Sequence, residues 1–179
     1  MKPFLGTYRI EVFCFLLTLF SVTGVWQKAL DKQVREKGIE GYSVMKLELP
    51  ANADSAQHTL QAIDTTVGCK ELVRKNLTVD YFFMPGVYLT VAMWLLLIRR
   101  NTKKWLMVSL TTVAILQLVA WALDINENNH LLAAVNSPAH ELGMTLAVFK
   151  SLVRVKFIIV LGGALFALLT CIFKRYFRG

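Results

Sequence analysis

Apolar residues gather into four long windows of this chain, 12–26, 81–98, 105–123 and 157–173, with charge nearly absent inside them and dense between them. A helix needs about 20 apolar residues to cross ~30 Å of hydrocarbon, with ~17 as the lower range. With their flanking turns the windows give spans at approximately 10–29, 80–98, 105–124 and 152–173. The pattern predicts an all-α membrane protein, a four-transmembrane-helix bundle that forms a single transmembrane domain over 1–179. Only 99–104 joins the second and third spans, so these form an antiparallel hairpin. Pro85 and Gly86 lie in the first turns of the second span, where proline starts or kinks a helix. Lys2 and Arg9 before the first span give it the look of a signal peptide, but 21–24 is not an A-x-A site, so a retained anchor is expected.

The longest polar stretch, 27–79, lies between the first two spans and is expected to cap one end of the bundle. Within it 42–49 reads as a short strand or extended segment interrupted by Pro50. Residues 54–63 read as a helix with Asp54 or Ser55 as N-cap and Ala56, Leu60 and Ile63 as its apolar stripe. Residues 70–77 extend the second span as helix. The loop 125–150 follows the third span, with Ser137-Pro138 placed as N-cap and first turn of a helix entering the fourth. Asn76-Leu77-Thr78 matches a glycosylation acceptor, a triplet common by chance.

The basic residues fix an orientation. Arg99, Arg100, Lys103 and Lys104 crowd one short connection, Lys174, Arg175 and Arg178 the C-terminus, and Lys2 and Arg9 the N-terminus. Four spans put all three segments on one side, which the positive-inside rule makes cytoplasmic. The arrangement is N-in/C-in, with 27–79 as a long extracytoplasmic loop. The 179 residues are 55% hydrophobic and carry a formal charge of +8, but these cations line membrane edges and form no soluble basic patch, so nucleic acid is not expected as a partner. Cys14 and Cys171 fall in apolar spans and should pack as small apolar residues, while Cys69 is a free thiol or an intermolecular bridge.

Candidate chemistry gathers at one level. At 1.5 Å per residue, Asp80 lies ~27 Å above Ile98, Asp124 ~28 Å above Trp105 and Lys156 ~25 Å above Phe173. On a helix, Gln117, Trp121, Asp124, Glu127 and Asn128 share one face. Lys156 shares its face with Gly163 and Ala167, small residues that favour close packing, so it should point inward, with Arg154 on the opposite side. Asp80, Gln117, Asp124, Glu127, Asn128 and Lys156 are therefore the candidate binding residues, and Asp124, Glu127 and Lys156 the candidate catalytic ones. Interfacial snorkelling, a structural ion pair and a functional site all fit such a cluster.

Leu47-Glu48-Leu49, Asp80-Tyr81-Phe82-Phe83, Tyr88, Asp124-Ile125-Asn126-Glu127-Asn128, Leu131-Leu132 and Val155-Lys156-Phe157 occur in that order. The order resembles a family of uncharacterised bacterial four-span integral membrane proteins with an acid before span two, a D-x-x-E-N motif after span three and a Lys-Phe at span four. The resemblance runs from about Lys46 to Phe173 and implies a bacterial cytoplasmic membrane and a common role for Asp80, Asp124, Glu127, Asn128 and Lys156. It brings no activity. The chain departs from the pattern at Pro50, directly after Leu49, so Glu48 stays outside the expected cluster.

No nucleophile elbow, HExxH, P-loop or dinucleotide loop is present, so no cofactor can be named. Glu127-Asn128-Asn129-His130 is a single Glu-x-x-His where a di-iron bundle needs two. Glu127, His130 and His140 are weak metal candidates, and no metal is expected. Paired carboxylates beside a lysine fit acid–base chemistry of a hydrolase or isomerase type. The leading expectation is a protein that binds a membrane lipid, another amphiphile or a membrane partner, which includes a second copy of itself. An enzyme or a structural subunit using the same cluster is the alternative.

Overall fold

The computed structural model describes residues 9–100, 102–137 and 145–173, and for 53 and 145–150 the backbone alone. Over these residues the chain forms six helices and no strand: α1 Arg9–Glu36, α2 Val44–Glu48, α3 Ala53–Thr65, α4 Cys69–Ile98, α5 Lys104–Asn136 and α6 Thr145–Ile172. Four helices are long and apolar enough to cross a membrane, α1, α4, α5 and the Ser151–Ile172 part of α6. Long apolar side chains such as Phe15, Phe82, Ile115 and Ile158 are exposed on their outer flanks. Hydrocarbon tolerates such a surface where water does not.

α4 is the centre of the bundle and packs on α1, α5 and α6. Small residues let the helices close. A Cβ added at Gly86 would stand 2.7 Å from the Phe20 backbone nitrogen, so α1 and α4 touch backbone to backbone. Pro85 neither starts α4 nor ends it; the helix runs through. α4 and α5 form the expected hairpin, with Arg99 as the C-cap of α4 and α5 beginning at Lys104. Near this basic end Ala92, Leu95, Ile98, Leu106, Leu110 and Ala167 close the core.

The other end carries the cap, and here several expectations change. α1 does not stop near 29 but continues to Glu36, burying Leu30 and Val34. The segment 42–49 is not extended: Ser43 caps Val44–Glu48, accepting from the Lys46 amide, and the helix stops one residue before Leu49-Pro50. Proline two residues past a helix end is a normal stop, because it cannot continue the backbone ladder. α3 starts earlier than expected, with Asn52, rather than Asp54 or Ser55, accepting from the Ser55 amide at 2.7 Å. Ala56, Leu60 and Ile63 are buried, as the stripe predicts. Gly68 (φ 77°) occupies the left-handed region that turns α3 into α4, a conformation other residues resist. Residues 70–77 are the first turns of α4, as expected.

The third span also outruns its expected end. α5 continues through Asp124 to Asn136, so the first part of the expected 125–150 loop is helix. Ser137 is the C-cap of α5, not the N-cap of a following helix. The expected helix start at Pro138 and His140 lie outside the described residues. Leu131 and Val135 on this extension join Val34, Leu47, Ile63 and Val73 in one cap core. The cap thus rests on the raised ends of α1, α4 and α5 and is continuous with the bundle.

Candidate functional site: one lysine among carboxylates

Lys156 lies on the inward face of α6 and is 2% exposed, while Arg154 is exposed. The small residues on its face have the expected effect. Gly163 presses against Gln117 and Val91, and Ala167 is fully buried, so the seam closes and the lysine cannot reach out to lipid. Its ammonium lies 3.2 Å from Glu48 Oε2 and 2.6 Å from Glu127 Oε2, and it donates to Asp124 Oδ1. Three carboxylates thus surround a group with three N–H donors. The ammonium is also 5.2 Å from the centre of the Phe157 ring.

α5 supplies two of these acids because Asp124 and Glu127 stand one turn apart on its buried face. Asn128, next in line, donates from Nδ2 to the Leu77 carbonyl of α4 at 2.8 Å. The Tyr88 hydroxyl of α4 is a hydrogen-bonding neighbour of Asp124. Glu127 Oε1, Asn128 Oδ1 and Trp121 Nε1 are buried and have no hydrogen-bond partner among the described residues.

Two expected members stand elsewhere. Asp80 is buried and feels the charges of Glu48, Asp124 and Lys156, but its hydrogen bond is with α1, where Gln27 Nε2 donates to it at 2.5 Å. Gln117 is fully buried and donates to the Ile159 carbonyl at 3.0 Å, tying α5 to α6. It is a packing contact of the seam, away from the carboxylates, because Gly163 leaves room for its amide.

Glu48 is the member that the sequence reading left out. Pro50 does not remove it; by ending α2 it leaves Glu48 on the last turn, directed onto Lys156 across 108 positions of chain. The available signal was an acid held between Leu47 and Leu49 in an otherwise polar segment. Tyr88 was among the ordered motifs but was given no role, although Asp80, Met84 and Tyr88 recur every fourth residue and all three are buried. Nearby, Asp31 of α1 accepts from the Val44 amide at 3.2 Å and from Asn76 Nδ2 at 2.8 Å, fastening α2 and α4 to α1. Asn76 is fully buried, so its triplet is not an accessible glycan acceptor.

Glu48 lies outside the four long helices. Burial pushes its carboxyl above the usual carboxylate range, opposed by Lys156 of α6 and reinforced by Asp124 of α5 and Asp31 of α1. A raised value means that the folded cap holds the Glu48 proton more tightly than the unfolded chain does. The stability gained this way is full below the ordinary carboxylate range and is lost as pH rises through the raised value. Amide protection in α2, corrected for the intrinsic pH dependence of exchange, should therefore fall from about pH 5 upward. Glu48→Gln should flatten that profile, as hydrogen-exchange mass spectrometry would record.

Chemically, the arrangement offers two carboxylates one turn apart, a lysine between them and a third acid from the cap. It does not bring Glu127 and His130 together, since Glu127 is buried against Lys156 while His130 is exposed, and no group of described residues is arranged to hold a metal. Cys14 and Cys171 are exposed on their helices rather than packed inside, and Cys69 is a free, buried thiol of the cap core, out of reach of a second chain. Comparison with known proteins finds no matching family, no similar curated protein and no similar solved structure.

Proposed function

We propose that this chain is a binding protein of a bacterial cytoplasmic membrane, akin to the four-span proteins with an acid before span two and a D-x-x-E-N motif after span three. Both termini face the cytoplasm, and the cap formed by α2, α3 and the raised helix ends is extracytoplasmic. The concentration of Arg99, Arg100, Lys103 and Lys104 at the opposite end supports this orientation. The cluster under the cap holds a lipid or another amphiphile by its headgroup, or a membrane partner.

One observation carries the reading: three carboxylates share one buried ammonium while Glu127 Oε1 and Asn128 Oδ1 are left without partners. Fully ionised, these four groups sum to −2. Such a site has acceptors to spare and fits a headgroup that brings N–H or O–H donors. Glu48 belongs to the cap and the other three to the bundle, so admission of a ligand requires the cap to lift.

Native mass spectra of protein released in mild detergent test this. Wild type should carry a discrete lipid or small-molecule mass that Glu127→Gln weakens. A bare protein in both spectra would overturn the binding reading and leave the cluster as a structural ion-pair network. The pairing of Asp124 and Glu127 beside Lys156 favours one further reading, a membrane-embedded hydrolase or isomerase. In that case Glu127→Gln would keep the bound mass and abolish its turnover.

A further inference from the structure

The basic end of the bundle combines apolar surface with guanidinium groups. A crevice of about 110 Å³ opens on the seam between α1 and α4, lined by Arg9, Met93, Leu96, Leu97 and Arg99. The three apolar side chains are half-buried, so they offer a partly covered surface beside two guanidinium groups. Arg99 is held in place: its Nη1 donates to Thr111 Oγ1 of α5 at 3.0 Å, and that hydroxyl donates to the Met107 carbonyl at 2.7 Å. This bond positions a planar group whose remaining N–H donors match the oxygens of a phosphate. Arg100, Lys103 and Lys104 follow in the adjoining connection. Glu11 is the carboxylate of the α1 turn nearby and offsets part of the charge.

The composition selects one occupant. A soluble anion gains nothing from Met93, Leu96 and Leu97. A zwitterionic lipid brings an ammonium that these cations repel. An anionic phospholipid satisfies both halves, with its phosphodiester on the arginines and its acyl chain on the apolar floor. The crevice has roughly the volume of four liquid water molecules, enough to seat the head but not the tail. The chain then leaves along the outer flank, where Ile10 is 70% exposed. We propose that the α1–α4 seam at the basic end is a binding site for an anionic phospholipid, its phosphate held by Arg9 and Arg99. The site is independent of the carboxylate cluster and of which way the chain faces.

Native mass spectrometry of the full chain, titrated with phosphatidylglycerol or phosphatidylcholine, tests the proposal. Wild type should retain phosphatidylglycerol in preference, and Arg9→Gln and Arg99→Gln should each weaken it about fivefold, the loss of one cation near a lipid phosphate. Arg154→Gln, an exposed cation on α6 near the other end, should change nothing. If Arg99→Gln does not fold, Arg9→Gln, at the start of α1, still decides. Unchanged preference in the arginine variants would overturn the site. So would a loss that follows Lys103→Gln and Lys104→Gln instead, or displacement of the lipid by millimolar inorganic phosphate, which would mark a soluble-anion site.

Discussion

Replacing Lys156 with methionine is expected to remove a large share of the protein's stability. The substitution is nearly isosteric, so α6 keeps its packing and charge alone changes. Glu127 and Asp124, with side chains 5% and 11% exposed, then face one another without a cation. Removing one partner of a buried ion pair costs about 3–5 kcal/mol. Against total stabilities of about 5–15 kcal/mol, that loss runs from roughly a fifth of the whole to nearly all of it. The yield of monodisperse protein from membranes and the midpoint of thermal unfolding measure the effect. Adding Asp124→Asn and Glu127→Gln to Lys156→Met should recover much of the loss, because two of the three uncompensated charges go with the lysine. Wild-type stability in Lys156→Met alone would mean that the lysine is not the shared partner of these acids.

Gly86→Leu should separate α1 from α4, and even Gly86→Ala should be costly. The added Cβ would meet the Phe20 backbone nitrogen at 2.7 Å and its Cα at 2.8 Å. Backbone atoms of a packed helix cannot swing aside, so α1 as a whole must retreat. α4 is the chief partner of α1 among the long helices, and the bonds from Gln27 to Asp80 and from Asn76 to Asp31 span this same pair. Overpacking costs about 1–3 kcal/mol, more where nothing can relax. Gly163→Ala is the control, since its Cβ would meet the Gln117 amide at 2.4 Å, the far end of a side chain that can turn. Denaturation in sodium dodecyl sulfate, followed by circular dichroism, should rank Gly86→Leu below Gly86→Ala and Gly86→Ala below Gly163→Ala. Equal midpoints for both alanine variants would show that α1 and α4 do not touch backbone to backbone.

These residues also show what a sequence can convey. The four long helices were legible because hydrophobic length is a one-dimensional signal. The inward direction of Lys156 was legible because Gly163 and Ala167 share its helix face. The continuation of α5 was hidden by its own polarity: Asp124 to His130 is a polar run that ends a hydropathy window, although Asp124, Glu127, Asn128 and Leu131 keep helical spacing and are buried. Glu48 was hidden for a different reason. Its partner lies 108 positions away, and a five-residue helix leaves too little periodicity to declare a face. Asp80 was expected at the level of Asp124 and Lys156, yet level does not determine which neighbour a side chain meets, and the Gln27 amide of α1 takes it. Local pattern conveys helices and their faces; the contact between cap and bundle is tertiary.

That contact is the centre of this account, and magic-angle-spinning NMR in lipid bilayers tests it most directly. With the lysine ammonium labelled with nitrogen-15 and the carboxyl groups with carbon-13, through-space transfer reports which acids adjoin Lys156. Correlations from its Nζ to the carboxyl carbons of Asp124, Glu127 and Glu48 are the predicted result, the last one lost in Glu48→Gln. A Lys156 signal that correlates with no carboxyl carbon, or with those of α5 and never with Glu48, would contradict a cap held on the bundle by a shared lysine.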